Sequence, residues 1–204
     1  MREEGVKSVL VNPNIATIQT DERLADRIHF LPVTPDFVAE VIERERPDAI
    51  LLGFGGQTAL NCGVGLSRMG TLEKYRVKVL GTPIRGIEVT EDRELFKRAM
   101  VEAGVSVPNS DSAYSVQEAQ TKARGIGYPV IIRVAYTLGG RGGGVARNDR
   151  ELSNIAQRGL NLSLNHQVLI EEYIGKWKQI EYEVMRDSAD NSMVVCNMEN
   201  MLGM

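Results

Sequence analysis

The sequence predicts an α/β protein made of two successive units. Three observations carry that expectation. Short apolar, β-branched runs alternate with amphipathic segments over residues 1 to 88, the pattern of a parallel sheet with helices on its faces. From residue 89 onward, capped helices and longer alternating strands replace that short-period alternation. Between them in importance stands Tyr128 to Asn148, YPVIIRVAYTLGGRGGGVARN, where an apolar strand bearing Arg133 runs into five glycines in six residues, Gly139 to Gly144, interrupted by Arg141. Glycines give a core nothing to bury and are entropically costly to order. A row of free backbone N–H groups beside arginines suits a polyphosphate.

Taken in order, Val6 to Val11 is a buried strand ended by the turn residues Asn12-Pro13-Asn14. The preceding Met1 to Gly5 reads as the last turn of a helix with Gly5 just past its end, which implies a strand and most of a helix ahead of this point. Ile28 to Leu31 is a second strand. Thr34-Pro35 opens a helix whose apolar spacing is Phe37, Val38, Val41 and Ile42. Asp48 to Phe54 is a third strand, apolar almost throughout as when both sheet faces are covered. A helix over Thr58 to Met69 and a fourth strand at Val77 to Leu80 complete the first unit.

In the second unit, Glu91-Asp92-Arg93 opens a helix through Ala103, with Leu95, Phe96 and Ala99 on its apolar face and Gly104 as its stop. Ser115 with Glu118, and Asn148 with Glu151, are capping boxes for helices over Val116 to Arg124 and up to Gly159. Gln167 to Tyr173 is a strand. Gln179 to Arg186 alternates apolar and charged, so one of its sides is solvated or faces a ligand. Met193 to Met198 pairs back on it as a hairpin across a polar turn.

Bulk properties exclude several classes. The chain has 204 residues, 43% apolar and 25% charged, with a net charge of −3. Acidic and basic residues are mixed, without the basic clustering of a nucleic-acid binder. No apolar run reaches the roughly 20 residues of a membrane span, and the N-terminus lacks the pattern of a signal peptide. Cys62 and Cys196 form no CxxC pair and read as reduced, buried thiols of a cytoplasmic protein. His29 and His166 have no second ligand at metal spacing and read as structural or surface residues.

The glycine loop fits neither standard phosphate template. Gly139 and Gly144 have the Walker spacing, but Val145 stands where lysine is needed, and Val145 also ends the GxGxxG pattern that starts at Gly140. Both templates place a helix directly after the loop; here a short strand follows, so the loop joins two antiparallel strands as a flap. A flexible hairpin tip is the plain alternative. Gly53-Phe54-Gly55-Gly56, ahead of a helix, is a weaker anion site and reads more readily as close helix–strand packing.

GGQTALN (Gly55 to Asn61), TEDRELF (Thr90 to Phe96), YPVIIR (Tyr128 to Arg133), LGGRGGG (Leu138 to Gly144), WKQIEYEVMRD (Trp177 to Asp187) and VCNMEN (Val195 to Asn200) together resemble the amino-proximal half of the carbamoyl phosphate synthetase large subunit. The resemblance covers essentially the whole chain. It implies a Rossmann-like pre-ATP-grasp domain over residues 1–88, truncated at its start. It also implies a partial ATP-grasp domain over 89–204, with the flap at 128–148 and a lobe linker at 170–180. It implies an ATP-dependent ligase that makes carbamoyl phosphate from ATP, bicarbonate and ammonia, the ammonia coming from glutamine through an amidotransferase subunit or domain. The half matched here phosphorylates bicarbonate to carboxyphosphate with ATP and Mg (or Mn).

By the same resemblance, Arg93 and Arg133 bind ATP phosphates and the N–H groups of Gly139 and Gly140 close over them. The backbone at Glu172 and Ile174 reads adenine, and Gln179 takes a ribose-binding place usually held by Glu. Arg133, in an apolar strand, reads as a buried arginine that needs an anion; Arg93 on its own could be a surface partner of Glu91. Lys176 where the family has Gly, Gln179 for Glu, and Arg141 in the loop depart from the pattern. The family's metal ligands lie beyond Met204, so the chain alone is expected to be catalytically inactive. A non-catalytic remnant or interaction module that keeps the fold is the alternative.

Overall fold

The computed structural model describes residues 1–21, 23–137, 139–175 and 177–200. The first unit opens with a 3₁₀ turn at Arg2–Glu4, closed by Gly5 at φ 70°. Strands β1 (Val9–Val11) and β2 (Arg27–His29) pair in parallel. Helix α1 (Pro35–Glu45) follows, with Pro35 in its first turn but no side-chain bond from Thr34. Strand β3 (Ala49–Leu51), α2 (Gly56–Arg68), α3 (Thr71–Lys74) and β4 (Lys78–Leu80) complete the alternation, β3 and β4 again parallel. The parallel pairing expected from the apolar runs is present, as two separate two-stranded ladders. Val38 and Ile42 of α1 pack on Cys62 and Leu66 of α2 with Leu72 and Val77; Leu52, Val64 and Ile87 form a second cluster. Phe37, expected on the apolar face of α1, is exposed.

The helix expected from Glu91-Asp92-Arg93 through Ala103 is α5 (Arg93–Glu102), and a helix not expected from the sequence, α4 (Ile84–Glu91), runs directly into it. Asp92 separates them at φ −81°, ψ 119°, its carboxylate accepting from the N–H groups of Glu94 and Leu95. An aspartate that caps a new helix competes with continuing the old one.

Strands β5 (Ser110–Ala113), β6 (Val130–Val134), β7 (Gly144–Ala146) and β8 (Val168–Glu172) form one antiparallel sheet in the order β5-β8-β6-β7. Helices α6 (Val116–Ile126) and α7 (Asp149–Leu162) cover one face. Both begin at the expected caps, Ser115 Oγ accepting from Glu118 N–H and Asn148 Oδ1 from Glu151 N–H. Val130, Ile132, Val134, Val168 and Ile170 pack there against Ala119, Ala123, Leu152, Ala156 and Leu160. The two-residue period of a strand then puts Ile131, Arg133, Leu169 and Glu171 on the other face.

Strands β9 (Gln179–Arg186) and β10 (Ser192–Asn200) make the expected hairpin, with a bulge at Val194/Cys196. One side was expected to face solvent or a ligand; β9 is exposed on both sides. Cys196, on this hairpin, is exposed rather than buried, while Cys62 is buried in the first core. The histidines make local contacts: His29 Nε2 lies 3.0 Å from Glu45 Oε1, and His166 Nδ1 lies 3.0 Å from the Leu160 carbonyl oxygen.

Candidate functional site

Arg93 is the first residue of α5 and is half-buried, whereas Arg133 is exposed. Its Nη2 reaches the Val134 carbonyl oxygen at 3.5 Å, the limit of a hydrogen bond. Its Nε is buried and has no partner among the described residues. Burial, and then the charge of Arg133, push the Arg93 guanidinium below its ordinary pKa, against the pull of Glu91 and Glu171. A partly desolvated guanidinium that feels a second cation and has a spare donor is a group that an anion would stabilise.

The expectation of a buried Arg133 is corrected: its side chain is 47% exposed and its Nε donates to Glu171 Oε1 at 2.8 Å, a carboxylate only 11% exposed. The apolar neighbours Ile132 and Val134 point to the helix-covered face, so Arg133 emerges on the opposite one. Leu169 on that face is buried. Arg93 reaches it through α5, and Arg133 stands one residue before the carbonyl that Arg93 touches.

The flap springs from the end of the same strand. Gly139 and Gly140 sit at φ 64° and 69°, the left-handed region, and a Cβ on either would meet nothing within 4 Å. Both residues are exposed, with open space beside their Cα atoms. Gly143 N–H closes a turn on the Gly140 carbonyl at 3.0 Å, and β6 and β7 pair from Val130↔Ala146 to Ile132↔Gly144. The loop thus joins two antiparallel strands, as the failed helix templates implied. Leu138 of LGGRGGG lies outside the described residues.

The four remaining sequence-predicted positions behave differently. Glu172 is exposed and its N–H is committed to the Asn109 carbonyl at 2.8 Å. By register Glu172 opposes Val130, on the helix side of the sheet, so its side chain does not share the face of Arg133. Ile174 is half-buried, and its carbonyl accepts from Trp177 N–H at 2.9 Å. Gln179 begins the exposed hairpin, its Nε2 donating to Glu181 Oε1 at 3.2 Å. The structure therefore brings together Arg93, Arg133 and the root of the glycine flap. It records no bond from Gln179 to them among the described residues.

Residues not read from the sequence complete the setting. Glu171 holds Arg133, and its place in QVLIEEY, one residue from the expected Glu172, was the available signal. Gln167, 1% exposed, accepts from the Arg93 backbone N–H and gave no signal beyond its place before an apolar run. A cleft of about 330 Å³ between α1, α2 and Leu164 is lined by Asn61 and Arg68 but not by Arg93 or Arg133. Among the described residues no three His, Cys, Asp or Glu side chains gather to hold a metal ion.

The model of the carbamoyl-phosphate synthase L chain ATP-binding domain matches residues 92–204, and that of the carbamoyl phosphate synthase preATP-grasp domain matches residues 1–89. The chain belongs to the carbamoyl-phosphate synthase large-chain family. It is 54% identical over 200 residues to the mitochondrial arginine-specific carbamoyl phosphate synthase large chain of Neurospora crassa, covering 98% of this chain and 17% of that one. It is 53% identical to the carbamoyl phosphate synthase large chain of Methanothrix thermoacetophila, over 98% of this chain and 19% of that one. To the multifunctional protein CAD of Squalus acanthias it is 52% identical, over 98% and 9%. The chain thus spans less than a fifth of the length of these carbamoyl-phosphate synthase relatives. In fold it is similar to the biotin carboxylase domain of the Hydrogenobacter thermophilus 2-oxoglutarate carboxylase, solved with MgADP, ADP and bicarbonate, at TM-score 0.74 and 24% identity, over 96% of this chain and 45% of that one. An N5-carboxyaminoimidazole ribonucleotide synthetase solved with ADP matches at TM-score 0.72 and 17% identity, over 98% and 49%.

Proposed function

We propose that this chain supplies the phosphate-gripping side of the ATP site in the bicarbonate-activating half of a carbamoyl phosphate synthase large chain. The observation that carries the reading is the buried Nε of Arg93, without a partner among the described residues, in the field of Arg133, on the strand that leads into the exposed glycine loop. Fixed guanidinium groups offset phosphate charge without losing a proton, and backbone N–H groups aimed at developing charge need no reorganisation. Phosphoryl transfer depends mainly on such positioning. On this reading Arg93 and Arg133 hold ATP phosphates and Gly139 and Gly140 close over them. The backbone at Glu172 and Ile174 meets adenine, and Gln179 meets ribose. The pre-ATP-grasp unit spans 1–88 and the ATP-grasp part 89–204.

Bicarbonate is the acceptor in this reading: its oxygen attacks the γ-phosphorus, the bond to ADP breaks, and carboxyphosphate forms for ammonia to attack. Bicarbonate and MgADP together in the Hydrogenobacter structure support the pairing of ligands. A glutamine amidotransferase partner would supply the ammonia. No described helix is long and apolar enough to cross a membrane; the compartment proposed is the cytoplasm, although the Neurospora crassa relative is a mitochondrial protein.

Calorimetric titration of the chain with ATP, ADP and adenosine tests the reading. ATP and ADP are expected to bind and raise the melting temperature through linkage, while adenosine binds far more weakly. Equal weak binding of all three, or none, would overturn it.

A further inference from the structure

The GGQTALN stretch identifies the family but contributes no residue to the arginine pair. Its two amide side chains do something else. Gln57 and Asn61 are one turn apart on α2, and Gln57 Nε2 donates to Asn61 Oδ1 at 3.0 Å. The same Nε2 donates to Glu91 Oε2 at 3.0 Å. Asn61, its oxygen engaged by Gln57, aims its Nδ2 at the Tyr136 carbonyl at 3.4 Å. Tyr136 N–H donates to the Glu91 backbone carbonyl at 3.2 Å. Both backbone polar groups of Tyr136 are therefore held, its carbonyl by Asn61 from the first unit and its N–H by Glu91 at the end of α4.

Tyr136 is the place where the flap begins. It is buried and stands at φ 58°, a left-handed backbone that a bulky residue adopts only under constraint. Two residues upstream, Val134 carries the carbonyl touched by Arg93; three residues downstream, Gly139 starts the open glycine run. We infer that Gln57 and Asn61 are positioning residues: through the Glu91–Tyr136 clamp they fix the root of the glycine flap relative to Arg93, and so set the site's grip on polyphosphate. The inference rests on the phosphate reading above for its consequence, but the clamp itself is measurable without any ligand.

The test uses the whole chain and three variants: Asn61→Ala, the isosteric Asn61→Asp, and Gln57→Leu. Amide hydrogen exchange at Tyr136 is read in the free protein, ADP affinity by calorimetry, and global stability by urea unfolding. Losing one hydrogen bond of ordinary net strength is expected to speed Tyr136 exchange about five-fold and weaken ADP by a similar factor. Amides in β8 and α7 should keep their protection. Asn61→Asp places a carboxylate against the Tyr136 carbonyl and should lose protection at about pH 8. It should regain part of it near about pH 5, where the protonated acid can donate again. Tyr136 exchange unchanged in all three variants would overturn the clamp. Exchange rising in step across the whole second unit would do the same, showing a merely structural role. If Tyr136 loosens as expected while the parent chain binds no ADP, the phosphate reading fails and the clamp stands. If Tyr136 loosens and ADP affinity holds, the link from clamp to grip is refuted.

Discussion

The backbone N–H of Arg93 donates to Oε1 of Gln167 at 3.1 Å, so a side chain that solvent does not reach sets where the half-buried Arg93 side chain begins. Gln167 Nε2 donates in turn to Tyr114 Oη at 2.9 Å and to Asp92 Oδ1 at 3.4 Å, and its own N–H is held by Ser163 Oγ at 3.1 Å. Every polar atom of Gln167's side chain is thus used across α5, β5 and the entry to β8. Replacing it by Leu takes their partner from the Arg93 N–H and from Tyr114 Oη, and urea melts should show a loss of about 1–3 kcal/mol. Gln167→Glu keeps the acceptor for Arg93 but turns an oxygen toward Asp92. Like charges raise the new carboxyl's folded pKa, so its stability contribution is full below the unfolded value of about 4.3 and is lost as pH rises. The Glu variant should therefore regain stability relative to the parent on acidification, and the Leu variant should not.

Arg93 and Arg133 should respond to truncation in opposite senses. Arg93→Met removes a desolvated cation with an unpartnered Nε and relieves its repulsion with Arg133. The free protein should be as stable as the parent or more so, while ATP binding falls by at least about ten-fold, the worth of one charge-assisted hydrogen bond. Arg133→Met strips Glu171 of its partner and leaves a nearly buried carboxylate alone. That variant should lose about 1–3 kcal/mol before any ligand is added. Paired thermal melts and titrations of the two variants decide it; a destabilised Arg93→Met would contradict the frustrated-arginine account.

Much of this was legible in the sequence, and the gaps have physical causes. Capping boxes at Ser115/Glu118 and Asn148/Glu151 are local chemistry, so they appear as read. The flap between antiparallel strands followed from a missing helix after the glycines. That Arg133 is exposed and Arg93 half-buried did not follow, because strand periodicity says that Arg133 faces away from Ile132 and Val134 without saying which face a helix covers. α5 touches β5 and β8 and leaves Arg133 uncovered. The start of α5 at Glu91-Asp92-Arg93 was legible from its acidic first turn, but α4 ahead of it was not, because Ile84–Glu91 carries no side-chain cap. The partners of GGQTALN lie 34 and 75 positions away and belong to tertiary structure alone. Cys196 reads as a buried thiol from its apolar neighbours, yet its hairpin is exposed on both faces.

The flap glycines separate two reasons for being glycine. At Gly139 and Gly140 only the left-handed backbone resists a side chain, since the added Cβ would meet open space. Alanine at either should cost about 1–2 kcal/mol. At Gly143 the added Cβ would lie 2.4 Å from the Ile132 carbonyl oxygen, a backbone atom that moves only by disturbing the Ile132↔Gly144 pairing. Gly143→Ala should therefore lose more stability than either of the other two. In calorimetric melts, equal losses at all three positions would show that the β6–β7 ladder yields more easily than its register suggests.

Cys62 and Cys196 provide the pH test. Burial pushes the Cys62 thiol up to about 11, from an ordinary value of 9.0. A raised folded pKa means that the folded state holds the proton more tightly. The corresponding stability is full below pH 9 and is lost as pH climbs toward the folded value. At about 1.4 kcal/mol per pKa unit, the loss by the end of that window is about 2 kcal/mol. Tyr136 is also shifted upward by burial and acts in the same sense at higher pH, so the lower part of the window isolates the thiol. Urea melts between about pH 8 and about pH 10 should show stability falling in the parent. The slope should flatten in Cys62→Ala, whose overall stability is lower because of the cavity left between α1 and α2. Thiol titration of the native protein should find one group reacting at once, Cys196, and a second only on unfolding; two fast thiols would place Cys62 outside the core.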